Sequence, residues 1–194
     1  NFLIQKKINF TEINNNYRTS LSNTWDEINW DLVKNLSDDL KTTWRSDAQV
    51  FICGNGGSAA NANHLANDFL YGISPKNGLG LKVHSLTANI AINTCLANDT
   101  GYENIFSKQL TVLANRNDIL IVFSGSGNSP NVIKAIEQGN SMGMKTHAIL
   151  GFDGGKCKEL ANNAIHIPTE SMQIAEDFQM IIGHILMLDL KDKK

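Results

Sequence analysis

Two glycine- and serine-rich segments of this 194-residue chain have the composition of an anion site. The first spans residues 54–58 and reads GNGGS, and the second spans residues 124–129 and reads SGSGNS. Glycines let the backbone approach an anion closely, and hydroxyl groups add donors without charge. Each segment also precedes a predicted helix, whose first N–H groups lack partners within the helix. Together the two segments predict a phosphate site that needs no lysine.

A turn and a helix cap are the simpler interpretation of either segment taken alone. Ser129, followed by Pro130 at the first helical position, has the pattern of an N-cap. Two such segments at the ends of two predicted strands favour the phosphate site, because ligands of open α/β sheets bind at the carboxyl ends of the strands.

A nucleotide is the alternative ligand for the first segment. Residues 54–59 fit the permissive dinucleotide pattern G-x-G-x-x-G/A. That pattern requires an acidic residue about 20 positions further along to bind the ribose, and residues 72–86 contain neither Asp nor Glu. The Gly-Lys-Ser/Thr of a P-loop is also missing from the sequence. We therefore expect no nucleotide cofactor.

A histidine and an aspartate follow the first segment at the spacing of one helical turn. His64 and Asp68 would project from the same face of a helix, which suits a pair of metal ligands and suits an ordinary surface pair equally well. His184 lies in an almost wholly apolar stretch, residues 180–188, where a lone histidine is more typical of the core. The other histidines lie in predicted strands and are interpreted as structural: His84, His147 and His166.

These residues must be positioned by an alternating series of strands and helices. Crossover connections between such elements require a parallel sheet that is covered on both faces. Residues 1–47 are predicted as an N-terminal helical extension, and residues 48–194 as one globular domain. An amphipathic helix is predicted in the extension from the spacing of Trp25, Ile28, Leu32, Leu36 and Leu40. The predicted strands cover residues 48–53, 81–85, 118–123, 145–150 and 164–167, and the later helices residues 88–96, 130–142, 156–162 and 172–190.

Composition excludes several classes of protein. The net charge is −2 and no basic stripe occurs, so we expect no nucleic-acid partner. No apolar run approaches the ~18 residues of a membrane span, and no signal peptide is evident. Cys53, Cys95 and Cys157 are odd in number and lack CxxC spacing, which is typical of reduced, buried thiols. These features predict a cytoplasmic protein without a membrane partner.

The C-terminal helix predicts self-association. Its apolar residues nearly encircle it: Phe178, Ile181, Ile182, Ile185 and Leu188. A helix that is apolar all round is buried on all sides, which in a chain of this size indicates subunit contact. We expect a homo-oligomer, specifically a tetramer.

Four segments of the chain carry a family resemblance. They are CGNGGSAANANHLAND (53–68), LANDTGYENIFSKQL (96–110), FSGSGNSPNVIKAI (123–136) and GFDGGKCKELAN (151–162). Together they resemble the sugar isomerase (SIS) family and, more closely, its phosphoheptose isomerases, which convert sedoheptulose 7-phosphate to a heptose 7-phosphate. The resemblance implies a flavodoxin-like three-layer αβα sandwich around a parallel sheet, usually oligomeric, with composite active sites between subunits.

The resemblance also implies a role for particular residues. Isomerases of this family carry a metal, typically zinc, which here would be bound by His64, Asp68, Glu176 and His184. The family has glutamate where this chain has Asp68, and glutamine where it has Glu176. Substrate contacts would fall on Asn55, Gly56, Gly57, Ser58, Asn98, Asp99, Ser124, Gly125, Ser126 and Ser129.

The catalytic roles stay open at this level. Ketose–aldose interconversion moves a proton between C1 and C2 through an enediol, and the candidate acid–base groups are Asp68, Glu176 and His184. Glu176 could act as the base or add charge to a metal site. Glu176 and His184 are separated by ~12 Å along one helix, so a shared ion requires either fully stretched side chains or two chains.

Two functions follow from the sequence. The first is isomerisation of a phosphorylated heptose, the conversion of sedoheptulose 7-phosphate to D-glycero-D-manno-heptose 7-phosphate. The second is a non-catalytic SIS module that binds a sugar phosphate or a protein partner as a regulator. The two altered acids favour the second function, whereas the retained histidines and the presence of acids at both positions favour the first.

Overall fold

Five strands form one sheet in the computed structural model, which describes residues 9–76 and 78–191. They are β1 (Gln49–Cys53), β2 (Lys82–Ser85), β3 (Ile119–Ser124), β4 (Lys145–Leu150) and β5 (Asn163–His166). The spatial order is β2-β1-β3-β4-β5, and every neighbouring pair is parallel. The predicted parallel sheet is confirmed. Of the two predicted regions, residues 1–8, 77 and 192–194 lie outside the described residues.

Helices connect successive strands, and further helices precede the first strand and follow the last. They are α1 (Phe10–Glu27), α2 (Trp30–Arg45), α3 (Gly57–Asn67), α4 (Ile90–Thr100), α5 (Ile105–Leu113), α6 (Pro130–Ser141), α7 (Gly155–Leu160) and α8 (Met172–Leu190). A π-helical turn, Asp68–Gly72, extends α3, and a 3-10 turn, Tyr102–Asn104, precedes α5.

Alternate residues of the strands face opposite layers of helices. Val50 and Ile52 of β1 join a core that contains α2, α3 and α8 residues, whereas Phe51 and Cys53 join a core with α5 and α6. Successive side chains of a strand point to opposite faces, so a strand covered on both faces is apolar throughout. The predicted three-layer αβα sandwich is therefore confirmed.

The N-terminal region differs from the single amphipathic helix that the sequence predicted. The chain is extended at Ile28, and a new helix begins after Asn29, whose side chain accepts a hydrogen bond from the Asp31 N–H. The cap satisfies one of the unpaired N–H groups at the start of α2, which favours a break there. Val33 and Leu36 of α2 are buried in the core of the sheet, so the predicted extension includes a helix that shares this core.

The cysteine prediction is correct for two of three residues. Cys53 and Cys157 are buried free thiols, and burial raises the pKa of Cys157 to about 11. Cys95 is exposed, contrary to the prediction, because α4 buries none of its residues. Among residues 9–76 and 78–191, no helix is both long and apolar enough to cross a membrane.

The three strand histidines make the contacts of structural residues. His84 Nε2 lies 3.1 Å from Gln49 Oε1, and His166 Nε2 lies 2.6 Å from the Phe152 carbonyl oxygen. His147 is buried, with its Nδ1 3.0 Å from the amide nitrogen of Asn163. These contacts support the structural interpretation of all three.

Candidate active site

A cleft of about 240 Å³ lies at the carboxyl ends of β1 and β3, which are neighbours in the sheet. Eight of the ten predicted substrate contacts line it, together with Phe123, Met172 and Glu176. Glu176 is the single charged residue of this lining, so any anion in the cleft is held by neutral donors. The eight predicted residues are Asn55, Gly56, Gly57, Ser58, Ser124, Gly125, Ser126 and Ser129.

The first loop turns on Gly56 and is faced by Glu176. Gly56 has a φ of 57°, a conformation that favours glycine, and α3 starts immediately after it. A Cβ atom on Gly57 would lie 2.4 Å from the Glu176 carboxyl group, so the absent side chain leaves room for that carboxylate. A carboxylate over the first turn of a helix is favourably placed in the helix dipole. The anion-attracting start of α3 therefore already faces a carboxylate of the same chain.

The second loop keeps its hydroxyl protons available. Ser124 Oγ accepts a hydrogen bond from the Gly127 N–H at 3.0 Å, and Ser126 Oγ accepts one from the Asn128 N–H at 3.2 Å. A hydroxyl that accepts in this way retains its own proton for donation. Ser129 is the N-cap residue of α6, yet its side chain makes no capping hydrogen bond. Serine hydroxyls of this loop can thus donate to an anion.

Asn55 is held by two residues that the sequence analysis missed. Asn55 and Asn131 exchange two amide hydrogen bonds of 2.8 Å, and the Tyr102 hydroxyl donates to Asn55 Oδ1 at 2.9 Å. Asn131 is buried at the start of α6. Both residues lie in segments that carried the family resemblance, so their position in those segments was the available signal.

His64, Asp68 and His184 converge in a second cluster between α3 and α8. Nε2 of His64 lies 3.3 Å from Asp68 Oδ2, and Nε2 of His184 lies 3.6 Å from the same oxygen. The two Nε2 atoms are 3.2 Å apart. Both histidines are about half exposed, whereas the aspartate side chain is 15% exposed. The three residues meet the geometric requirement for a shared metal ion, as ligand atoms within 4.8 Å of one another.

Close packing of α3 against α8 brings these side chains together. A Cβ atom on Gly183 would lie 2.4 Å from Leu65, so the helices approach closely there. Gln179 of α8 is fully buried, donates to Ser58 Oγ at 3.0 Å and accepts from Asn61 Nδ2 at 3.0 Å. Contacts advance in the same direction along both helices, from Ser58 with Gln179 to Leu65 with Gly183. The two helices are therefore parallel and in a fixed register.

A π-helical turn begins at the aspartate of the cluster. The Ile73 N–H donates to the Asp68 carbonyl oxygen at 3.0 Å, which is the i to i+5 bond of that turn. Such turns are rare and frequently occur at functional sites. The sequence predicted an ordinary helix here.

Glu176 lies apart from the cluster. It precedes His184 by eight residues, or ~12 Å along the helix axis, and its carboxyl group faces Gly57 in the cleft. Within one chain the structure thus groups three of the four predicted ligands. Ligation of the metal by Glu176 stays a prediction that depends on a second chain.

Asn98 and Asp99 are also outside the cleft of their own chain. Both are exposed in the last turn of α4, where Asn98 Nδ2 donates to Asp99 Oδ1 at 2.8 Å. Cys95 Sγ lies 3.5 Å from the other Asp99 oxygen. Their predicted contact with a substrate therefore requires the cleft of another copy of the chain.

Comparison with known proteins gives one consistent result. Residues 15–151 match the SIS domain family. The phosphoheptose isomerase of Helicobacter pylori (strain P12) is 40% identical over 147 residues, which cover 76% of each chain. The solved phosphoheptose isomerases of Neisseria gonorrhoeae and Francisella tularensis are each 25% identical, and the match covers 93% of this chain and 97% of theirs. Their TM-scores are 0.85 and 0.86 respectively.

Proposed function

Since this chain belongs to the SIS domain family and, within it, to the phosphoheptose isomerases, we propose that it interconverts sedoheptulose 7-phosphate and D-glycero-D-manno-heptose 7-phosphate. It is a phosphosugar isomerase of heptose biosynthesis. The prediction of an enzyme, rather than of a non-catalytic binding module, is confirmed. The observation that carries the finer proposal is the convergence of His64, Asp68 and His184 on the helix pair that also lines the cleft.

The substrate phosphate binds at the serine loop, residues 124–129. Glu176 faces Gly57 at the start of α3, and a phosphate placed at that helix start would be repelled by its carboxylate. The serine loop is the favourable position for the phosphate, because its hydroxyl groups have protons free to donate. The sugar chain then extends along α8, with its carbonyl end toward His184 and its hydroxyl groups near Glu176.

The three-residue cluster fits zinc. Ligand atoms that surround zinc tetrahedrally at ~2.0–2.1 Å are separated by about 3.3–3.4 Å. The three separations in the cluster are 3.2, 3.3 and 3.6 Å. Two imidazoles and one carboxylate with an open fourth position are the donor set of catalytic zinc sites. When bound, zinc supplies Lewis-acid polarisation of the substrate carbonyl.

Asp68 is the carboxylate best placed to move the proton at the carbonyl end. Its Oδ2 atom faces both histidines, whereas Oδ1 accepts one long bond of 3.4 Å, from Asn67. Transfer of a proton from C1 to Asp68 Oδ1, with a proton taken up by O2 from water, gives the enediol. Return of the carboxyl proton from Oδ1 to C2, with release of the O1 proton to water, gives the aldose. His64 and His184 hold the metal and fix the orientation of the Asp68 carboxylate.

Self-association into a tetramer completes the site in this proposal. Ile90 of α4 is 73% exposed in the single chain. Leu188 of α8 is 65% exposed, although its helix was predicted to be buried on all sides. These exposed apolar side chains of α4 and α8 are available for burial against a second copy. A second copy that covers α4 would bring Asn98 and Asp99 to a neighbouring cleft. Three free cysteines among the described residues support a cytoplasmic location.

The direct test is incubation of the purified protein with sedoheptulose 7-phosphate. We expect an aldose heptose 7-phosphate to form, and zinc to be found by elemental analysis of the protein as purified. Binding of the ketose without conversion would contradict the proposed reaction. Conversion that persists after complete metal removal would contradict the zinc site alone.

A further inference from the structure

The cleft has no cationic side chain in its lining, so its affinity for phosphate depends on how neutral groups are oriented. Serine hydroxyls rotate to suit a ligand, but a carboxamide presents either its oxygen or its nitrogen. The end that Asn55 presents therefore decides whether it attracts or repels a phosphate oxygen. Hydrogen bonds with Asn131 and Tyr102 fix the orientation of the Asn55 amide.

A backbone N–H group of α6 fixes the orientation of the Asn55 amide through Asn131. The Val132 N–H donates to Asn131 Oδ1 at 3.0 Å, which identifies that atom as the oxygen. Asn55 Nδ2 then donates to the same oxygen at 2.8 Å, and Asn131 Nδ2 donates to Asn55 Oδ1 at 2.8 Å. A rotated Asn55 amide would place oxygen against oxygen and nitrogen against nitrogen. One backbone N–H thus sets the orientation of both carboxamides.

Tyr102 supplies a second hydrogen bond to the amide oxygen of Asn55. Its hydroxyl donates to Asn55 Oδ1 at 2.9 Å, so that this oxygen accepts two hydrogen bonds, one from Asn131 and one from Tyr102. A carboxamide oxygen has two lone pairs, and both are now occupied. The nitrogen has two protons, one of which is used on Asn131. Asn55 can therefore only donate to a ligand in the cleft.

We propose that Asn131 and Tyr102 are positioning residues that make Asn55 an obligate donor to the substrate phosphate. This inference deepens the proposed function and rests on it. It also divides the cleft chemically, with donors at Asn55 and the serine loop and an acceptor at Glu176. Such a cleft selects a ligand with an oxyanion at one end and hydroxyl groups beyond it.

The test measures the dissociation constant of inorganic phosphate together with KM and kcat for sedoheptulose 7-phosphate. Tyr102→Phe removes one hydrogen bond from a residue that is 58% exposed, so the fold is retained. We expect it to raise the phosphate dissociation constant and KM by about threefold, and Asn131→Ala by about tenfold. Because phosphate contacts hold substrate and transition state alike, kcat should change little.

The decisive comparison repeats both changes in an Asn55→Ala background. Residues that act only through Asn55 should have no further effect there, whereas independent contributions would add. Asn140→Ala is the matched control, since Asn140 is also hydrogen-bonded and lies at the far end of α6. It should lower stability without changing phosphate affinity. If Asn131→Ala does not fold, Tyr102→Phe alone still decides the question.

The outcomes separate the two proposals. Full effects of Tyr102→Phe in the Asn55→Ala background, or wild-type affinity in the single variants, would overturn the positioning roles and leave the isomerase intact. A wild-type protein without affinity for phosphate or substrate would overturn both. A fall in kcat at constant KM would indicate a smaller folded fraction and would also overturn the positioning roles.

Discussion

The Nε2 atoms of His64 and His184 lie 3.2 Å apart, although 120 residues separate the two histidines in the chain. Their rings meet edge to face, with centroids 5.3 Å apart, beside the carboxylate of Asp68. A hydrogen bond between neutral imidazoles, or a cation bound by both, accounts for this approach. The nearby Asp68 carboxylate supports the proposed metal centre, which the His64–Asp68 spacing alone left open.

Loss of either histidine should remove metal and activity together. His64→Ala and His184→Gln each delete one of the three proposed ligands, and we expect zinc affinity to fall by more than about a hundredfold. Isothermal titration with zinc and elemental analysis measure the effect. His84→Gln, at an exposed strand position, is the control and should keep both properties. Full isomerase activity in His184→Gln would contradict every catalytic role proposed for this cluster.

Glu176→Gln should separate phosphate binding from catalysis. The change keeps the size of the side chain over Gly57 but removes a negative charge from the cleft. Inorganic phosphate should bind more tightly, because a like charge is lost. The kcat/KM for the sugar phosphate should fall about tenfold, because the sugar hydroxyl groups lose an ionised hydrogen-bond acceptor.

Asp177→Asn is the matched control for this prediction. It removes the same charge from the next residue of α8, whose side chain is exposed and accepts a hydrogen bond from Tyr17. Phosphate affinity and turnover should stay near the wild-type values. Equal effects of the two substitutions would show that overall charge, rather than the position of Glu176, is responsible.

The two glycine-rich loops of the cleft were predictable because their signal is local. A strand, a glycine-rich turn and a helix follow one another directly around residues 54–58 and again around residues 124–129, and the sheet then brings the strand ends together. His64 and Asp68 were predictable as a pair for the same reason. Contact of His184 with them depends on the register of α8 along α3, which no short segment of sequence encodes.

Other features had a weak signal or none in the sequence. Asn29 caps α2 within a polar region where many residues could cap a helix, so the break after α1 was missed. The spacing of Glu176 and His184 predicted their separation, but the position of the Glu176 carboxylate beside Gly57 had no signal, because it depends on a missing Cβ in another helix. Asn131 was overlooked because its role depends on a bond to Asn55, 76 residues away.

Protonation of His147 should destabilise the fold in mild acid. Burial is the main cause that lowers the pKa of His147 to about 4, and Lys145 lowers it further, while Asp39 acts in the opposite direction. The unfolded chain binds this proton with a pKa of ~6.5, so stability is retained above that pH and is lost as the pH falls from 6.5 toward 4. At pH 5 the loss should be about 2 kcal/mol.

Urea unfolding at pH 7 and pH 5 measures this loss. His147→Gln lacks the titrating group, so its stability should depend less steeply on pH than that of the wild type. His84→Gln changes an exposed histidine of β2 and should keep the wild-type dependence. Parallel pH profiles for the wild type and His147→Gln would show that other groups govern acid unfolding.

Composite active sites should be revealed by mixing two inactive variants. One carries Ser124→Ala and Ser126→Ala, which remove two proposed phosphate donors from the cleft, at about 1.5–3 kcal/mol for each bond to a charged group. The other carries Asn98→Ala and Asp99→Ala on α4, whose side chains lie outside the cleft of their own chain.

If α4 of one copy completes the cleft of another, mixed oligomers contain some sites in which both the serine loop and α4 are intact. Dissociation and reassembly of the mixture should then restore activity that neither variant has alone, and light scattering should report the tetramer. A monomer at micromolar concentration, or a reassembled mixture that stays inactive, would contradict the proposed assembly.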